Sequence, residues 1–142
     1  MEKRFPPEAE PILNARFHGD ALIALATLAG GVPHVRMVNT LYRAGAFYVI
    51  THALSGKMRQ IAQNPVVAVC GEWFTGHGMA ESLGWLGAPE NATLRRALRE
   101  AFAPWIDNGH VDEADPDTCI LRIRLTDGVL MADGQRFAGR FG

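Results

Sequence analysis

Apolar residues fall in short runs along this chain, and glycine or other turn residues separate most of the runs. The segment Ala21–Ala29 (ALIALATLA) is apolar throughout and is followed by Gly30 and Gly31. A run of this length closed by glycine favours a buried strand, although its alanine and leucine content also suits a helix.

The next stretch has the alternation of a strand hairpin. In VPHVRMVNTLYR, Val35 and Met37 fall on one face, whereas Arg36 and Val38 fall on the other. After turn residues 43–45, the segment AFYVIT is rich in aromatic and β-branched side chains, which are typical of strands. The two segments together predict an antiparallel hairpin.

A short amphipathic helix is predicted after the hairpin. Ser55 is a favourable N-cap residue, and the following KMRQIAQN places Met58, Ile61 and Ala62 on one face. The solvent-facing side is expected to carry Lys57, Arg59, Gln60 and Gln63. Asn64-Pro65 ends the helix, and the apolar VVAVCGEW then predicts another strand.

The clearest helix lies in the second half of the chain. In residues 88–109, the four-residue spacing of Leu94, Leu98 and Phe102 predicts an amphipathic helix that packs on the core. Before it, MAESLGWLG is expected to form a strand after a bend at residues 75–78.

The two ends of the chain complete the pattern. A short helix that packs Leu13 and Phe17 inward is predicted after two prolines near the N-terminus. In the tail, Asp127-Gly128 and Asp133-Gly134 predict turns between short strands. Strands joined mostly by short turns, six or seven in total with three helices, favour an antiparallel barrel with helical insertions over a doubly wound sheet.

Composition narrows the class of protein. The chain has 142 residues, of which 48% are hydrophobic and 20% charged, and its net charge is −1 at pH 7. This balance predicts a single globular domain over residues 1–142. A charge near zero argues against a nucleic-acid or membrane partner, because such binding needs an excess of basic residues. No signal-peptide pattern or CxxC spacing is present, so we expect buried, reduced thiols at Cys70 and Cys119 in a cytoplasmic protein.

The candidate chemistry concentrates at the start of the predicted short helix. A first helical turn offers unpaired N–H groups, and here Ser55 adds a hydroxyl, Gly56 an open backbone and Lys57 a charge. Arg36 and Thr51 would converge on the same point if the hairpin lies beside the helix. The segment therefore predicts an anion site, with an ordinary solvated helix start as the alternative.

Other chemistry is less well supported by the sequence. The spacings of His34, His52, His77 and His110 match no metal motif, so we expect no metal site and interpret them as surface or packed histidines. The acidic loop at residues 112–117 lacks calcium-loop spacing and is interpreted as solvated. No nucleophile or phosphate-loop motif occurs, and the catalytic residues stay unknown.

Several motifs follow one another in a distinctive order: P-x-x-R-x-V, F-Y-V-I-T, S-G-K-M-R-Q-I-A-Q-N-P and V-V-A-V. In this order, across roughly residues 21–84, the chain resembles the pyridoxamine 5'-phosphate oxidase-like family of FMN-binding split barrels. The resemblance implies a mainly β (α+β) fold, a six-stranded antiparallel Greek-key split barrel with peripheral helices. It also implies a homodimeric flavoprotein oxidoreductase, with FMN in a groove between subunits and a small-molecule substrate or electron donor.

The resemblance assigns cofactor-binding roles as well. It implies that Arg36 contacts the flavin phosphate or ribityl chain. The backbone groups of Met37 and Val38 would face the pyrimidine edge of the flavin.

The phosphate itself would be held by Thr51, Ser55 and Lys57. Gly56 stands where many relatives have a second arginine, and Met79 stands where members often place a glutamine. The tail RFAGRFG lacks the tryptophan- and arginine-containing motif of the true oxidases, which argues against a vitamin B6 phosphate as substrate. These departures leave a second interpretation open, a non-catalytic flavin, F420 or haem binding or carrier protein on the same barrel.

Overall fold

A computed structural model of the chain describes residues 3–142. The strands are β1 (Ala21–Ala29), β2 (Val32–Arg43), β3 (Ala46–His52), β4 (Val66–Gly71), β5 (Phe74–Trp85), β6 (Thr118–Ala132) and β7 (Gln135–Arg140). The helices are α1 (Glu10–Phe17), α2 (Gly56–Gln63) and α3 (Ala92–Ala101), and short 3-10 turns at Pro7–Ala9 and Pro89–Asn91 precede α1 and α3.

The strands form one antiparallel sheet that closes on itself. Its order is β3-β2-β1-β4-β5-β6-β7, and a further pairing of β3 with β6 completes a barrel of six strands. Strand β7 lies outside the closed ring; β6 is its partner among the strands, and Arg140 at its end also bridges to Arg4 near the N-terminus. The predicted fold class, a six-stranded antiparallel barrel with peripheral helices, is confirmed.

Two apolar clusters follow from the alternation of side chains along β3 and β6. Phe47 and Val49 point into the barrel, where Phe17 and Phe74 pack edge-on or tilted around Phe47. Ile50, the residue after Val49, points outward. It joins a second cluster beneath α3 that contains Leu41, Leu86, Leu98, Phe102 and Ile120. The predicted apolar stripe of α3 is therefore part of a core outside the barrel.

The alternation also resolves two expectations. Ala21–Ala29 is a strand, paired with β2 on one side and β4 on the other, as its apolar run predicted. The expectation of two buried thiols was half wrong, because Cys119 is buried whereas Cys70 is exposed. Val67 and Val69 occupy the inward positions of β4, which leaves Cys70 on the outer face.

Strand β6 contradicts the predicted turn at Asp127-Gly128. The strand runs on through these residues and turns only at residues 133–134. A register shift opposite His77 places a bulge there, since His77 pairs with Asp127 and Gly78 with Leu125. A bulge bends a strand without ending it, so one strand serves both the barrel and the β7 pairing. Strand β5 likewise continues past the bulge, so it begins at Phe74, earlier than predicted.

No helix in the described part of the chain is long and apolar enough to cross a membrane.

The β5–β6 bulge depends on a close approach of two backbones, and this gives the first prediction. A Cβ on Gly76 would lie 2.6 Å from the carbonyl oxygen of Asp127, whereas one on Gly56 would meet nothing within 4 Å. We expect Gly76→Ala to lower the free energy of unfolding by about 1–3 kcal/mol through overpacking, as measured by urea denaturation. Gly56→Ala is the control and should unfold at an equal or higher urea concentration. Equal stability of the two variants would contradict the close approach.

Candidate functional site

One mouth of the barrel is closed by α2, which links the end of β3 to the start of β4. Met58 and Ile61 of this helix are buried in the barrel cluster. The sequence placed Ala62 on the same inward face, but Ala62 is exposed, while Lys57 and Gln60 are half-buried. Helix α2 therefore turns the side that carries Lys57 and Gln60 towards the barrel, and both polar residues lie over the mouth.

The Arg36 side chain contacts α2 from inside the barrel. It shares the inward-facing register of β2 with Val38 and Tyr42, which are core residues. Its Nη1 donates to the carbonyl oxygen of Leu25 at 3.1 Å and to Thr27 Oγ1 at 2.8 Å, and its Nη2 donates to Gln60 Oε1 at 3.1 Å. Burial lowers the pKa of the Arg36 guanidinium from its ordinary value.

Lys57 is a second cation at the same mouth. Partial burial and then the positive charge of Arg36 lower the pKa of its ammonium, and a smaller effect of Cys119 opposes them. Within residues 3–142, the Lys57 ammonium makes no hydrogen bond and no ion pair. Arg36 and Lys57 thus place two positive charges close together, and no carboxylate within residues 3–142 pairs with Lys57. This arrangement favours the binding of an anion that is not part of the chain.

The start of α2 has the features of an anion cradle. Ser55 occupies the predicted N-cap position, but its side chain makes no capping hydrogen bond. Its Oγ is the buried side-chain polar atom that lacks a partner in the described part of the chain. The space above Gly56 is open, so a ligand can approach the backbone there. A buried hydroxyl without a partner beside an open helix start fits a phosphate group.

The remaining predicted residues divide between the mouth and the outer surface. Thr51 shares the inward face of β3 with Val49 and pairs with Cys119 of β6, which places it at the mouth. Val38 is buried within the barrel, whereas the Met37 side chain is 60% exposed on the outside. The structure thus brings Arg36, Thr51, Ser55, Gly56 and Lys57 to one mouth of the barrel.

Met79 lies on β5, half-buried and paired with Val66 of β4 and Arg124 of β6. Its thioether cannot donate a hydrogen bond. Any ligand at this position therefore receives an apolar contact in place of the amide that members of the resembled family often supply.

A polar cluster beside the mouth was not predicted. His52 Nε2 lies 3.1 Å from Asp115 Oδ2, and one ligand atom each from His52, Asp115 and Asp117 fall within 4.8 Å of one another. The main-chain N–H of Asp117 and then His52 lower the pKa of the Asp115 carboxyl. The sequence interpreted the histidine and the acidic loop separately, because residues some sixty positions apart carry no signal of contact.

This cluster fastens the acidic loop to the segment before α2. The N–H of Leu54 donates to His52 Nδ1 at 3.3 Å, which leaves the proton on Nε2 to face Asp115. The N–H of Ala53 also donates to the Asp117 carbonyl oxygen at 2.7 Å. The loop therefore supports the chain just before the helix start.

The outer surface across β2, β1 and β4 is apolar. Its large exposed side chains include Val35, which is 70% exposed, together with Leu22, Met37 and Val66. The alanines Ala24, Ala26 and Ala68 lie between them in register. We call these seven residues the outer apolar face. A cavity of about 300 Å³ opens beside it, with Cys70 and the His77–Asp127 pair in its lining.

The fold and the mouth together define a small closed barrel with two cationic side chains beneath a capping helix. The chain belongs to the family described as Pyridoxamine 5'-phosphate oxidase, whose model matches residues 9–131. This confirms the resemblance found in the sequence. No curated protein sequence matches the chain.

Solved structures share the fold at low identity. An FAD-binding protein from Mesorhizobium loti is 18% identical, with a TM-score of 0.66 over 85% of this chain and 89% of that one. An F420 reductase is 18% identical, with a TM-score of 0.64 over 81% and 94% of the two chains. A heme binding protein from Mycobacterium smegmatis is 20% identical, with a TM-score of 0.65 over 95% of this chain and 58% of that one.

Proposed function

We propose that this protein is an FMN-dependent oxidoreductase that holds the flavin phosphate at the α2 mouth of the barrel. The observation that carries the proposal is Lys57, half-buried beside Arg36 and without a counter-ion in residues 3–142. Family membership supports the flavin, because the matched region contains every residue of the mouth.

The phosphate would take its contacts from the start of α2. Lys57 would supply the charge, Ser55 and Thr51 the hydroxyls, and the open backbone at Gly56 the close approach. The backbone of Met37 and Val38 would face the pyrimidine edge of the ring, as the resemblance implies. A bound flavin would supply hydride or electron transfer, and the chain would supply orientation and electrostatics.

We do not expect a vitamin B6 phosphate to be the substrate of this proposed oxidoreductase. The segment RFAGRFG, most of which belongs to β7, differs from the tryptophan- and arginine-containing motif that the resemblance assigns to the true oxidases. Another small molecule or an electron donor is therefore the expected partner.

The second candidate function is non-catalytic cofactor binding by the same barrel. The fold neighbours include a protein named for F420 and one named for haem, so the same barrel accommodates different cofactors. Gly56 stands in place of an arginine, and Met79 in place of a glutamine, that the resemblance assigns to FMN contacts. Each replacement weakens the contact. A non-catalytic flavin, F420 or haem carrier is the alternative that these features favour.

Identification of the bound molecule separates the two functions. We expect the purified protein to release FMN on heating, identified by absorbance and mass spectrometry, and to pass electrons from a nicotinamide donor to an acceptor dye. Release of F420, or a haem absorption band, would favour the alternative. A colourless protein that also fails to bind added FMN would contradict both the flavin proposal and the flavin carrier.

The charge of Lys57 should contribute a measurable share of the affinity. Lys57→Ala removes a charge-assisted contact worth about 1.5–3 kcal/mol, so FMN affinity should fall roughly tenfold to 150-fold. Flavin fluorescence quenching measures the change. Arg59→Ala is the matched control, since it removes a positive charge from the exposed side of the same helix. An equal loss in both variants would show that only general electrostatics attracts FMN.

We also propose that the protein works as a homodimer that buries the outer apolar face. Contiguous exposed apolar surface of this kind marks an interaction site more often than a free surface. The net charge of −1 opposes self-association only weakly. Because Met37 belongs to this face, a cofactor at its backbone would lie at the subunit boundary.

A charge in the middle of this face should dissociate the dimer. Val35→Asp places a carboxylate in the proposed interface, and we expect a monomer in sedimentation velocity where the unchanged protein is a dimer. Trp73→Asp is the control, because Trp73 is 72% exposed in the turn at the opposite end of the barrel. A monomeric unchanged protein, or a dimeric Val35→Asp variant, would refute the proposed interface.

A further inference from the structure

The guanidinium of Arg36 is already engaged within the protein. Three of its N–H groups donate to acceptors on two different elements, Leu25 and Thr27 on β1 and Gln60 on α2. Thr27 is fully buried, and its hydroxyl also donates to Gln60 Oε1 at 2.5 Å. Arg36, Thr27 and Gln60 therefore form one closed network that joins the barrel wall to the helix.

The direction of Arg36 follows from the strand. Arg36 occupies an inward position of β2, so its side chain runs into the mouth and ends beneath α2. The neighbouring Met37 faces outward instead. The network thus meets α2 on the side that faces the barrel interior.

Gln60 connects this network to the anion cradle. Gln60 lies one turn after Lys57 on α2, and residues three apart lie on the same side of a helix. A hydrogen bond that fixes Gln60 therefore fixes the rotation of the first turn, and with it the direction of Lys57. Met58 and Ile61 hold the helix through apolar contacts, which are not directional.

We propose that Arg36 is a positioning residue, which acts through Gln60 and Thr27 to orient the start of α2. This differs from the phosphate or ribityl contact that the family resemblance implies. The role requires the planar fork of arginine, because a single ammonium cannot serve acceptors on both β1 and α2 in the same way. The anion is then held by Lys57, Ser55 and the backbone at Gly56.

The positioning role is tested first in the free protein, where no cofactor is needed. Arg36→Lys and Gln60→Leu should each speed amide hydrogen exchange of residues 59–64 by about tenfold or more, because the helix loses its directional anchor. Arg59→Leu changes the exposed side of the same helix and should leave the exchange unchanged. Slow exchange in both network variants would overturn the proposal, and exchange raised equally throughout the chain would indicate general destabilisation instead.

The second test rests on the proposed function and separates positioning from direct binding. FMN and riboflavin differ by the phosphate, so the ratio of their affinities reports the phosphate contacts alone. We expect Arg36→Lys and Gln60→Leu to lower this ratio on the order of tenfold each, and the double variant to lower it no further, because both act on one network.

The outcomes of the second test are distinct. A direct phosphate contact predicts that Arg36→Lys, which keeps the charge, retains most of the ratio, and that the two substitutions add. Either result would overturn the positioning role. If no variant and no unchanged protein binds FMN, the proposed function fails, while the exchange experiment still decides the role of Arg36.

Discussion

The pairing of β3 with β6 is the constraint on which the rest of this structure depends. It joins residues about 70 positions apart in register, from Ala46 with Arg124 to His52 with Thr118, and turns an open sheet into a barrel. Closure fixes an interior and an exterior for every strand, because side chains alternate along each one. It also brings the ends of β1 and β3 and the starts of β2 and β6 to one mouth. Without that pairing, Arg36 and Thr51 would belong to a flat surface and would share no site with Lys57.

The mouth combines two opposing energetic terms. Arg36 and Lys57 both lose hydration there, which lowers the pKa of each group, and the positive charge of Arg36 lowers the pKa of Lys57 further. Arg36 offsets this cost with hydrogen bonds to Leu25, Thr27 and Gln60. Lys57 has no such compensation within the described residues, and the Ser55 hydroxyl beside it is likewise unsatisfied. An anion at the helix start would relieve both, which is the physical reason to place a phosphate there.

The sequence predicted most of the elements, because alternation and turn residues are local signals. The hairpin of β2 and β3, helix α2 and the stripe of α3 all follow from spacing alone. The turn expected at Asp127-Gly128 was wrong because the same dipeptide suits a hairpin or a bulge, and only the partner strand decides between them. Likewise the outward placement of Gln60 was wrong, since its acceptor role depends on Arg36 across the barrel wall. The His52–Asp115 contact could not be predicted, because the acidic loop carries no pattern that specifies its partner.

The residues at the mouth also limit how much of the function can be inferred. Binding a phosphate requires charge, hydroxyl groups and open backbone, and all three are present near the start of α2. Flavin chemistry needs no side-chain acid or base in principle. The residues of the chain therefore indicate little about which reaction a bound flavin would carry out. Under the proposed function, the surface around the flavin ring would include the apolar Met79, the exposed Met37 and the outer apolar face. In the proposed homodimer a second subunit would cover Met37 and the outer apolar face, so the choice of substrate would depend on both subunits together.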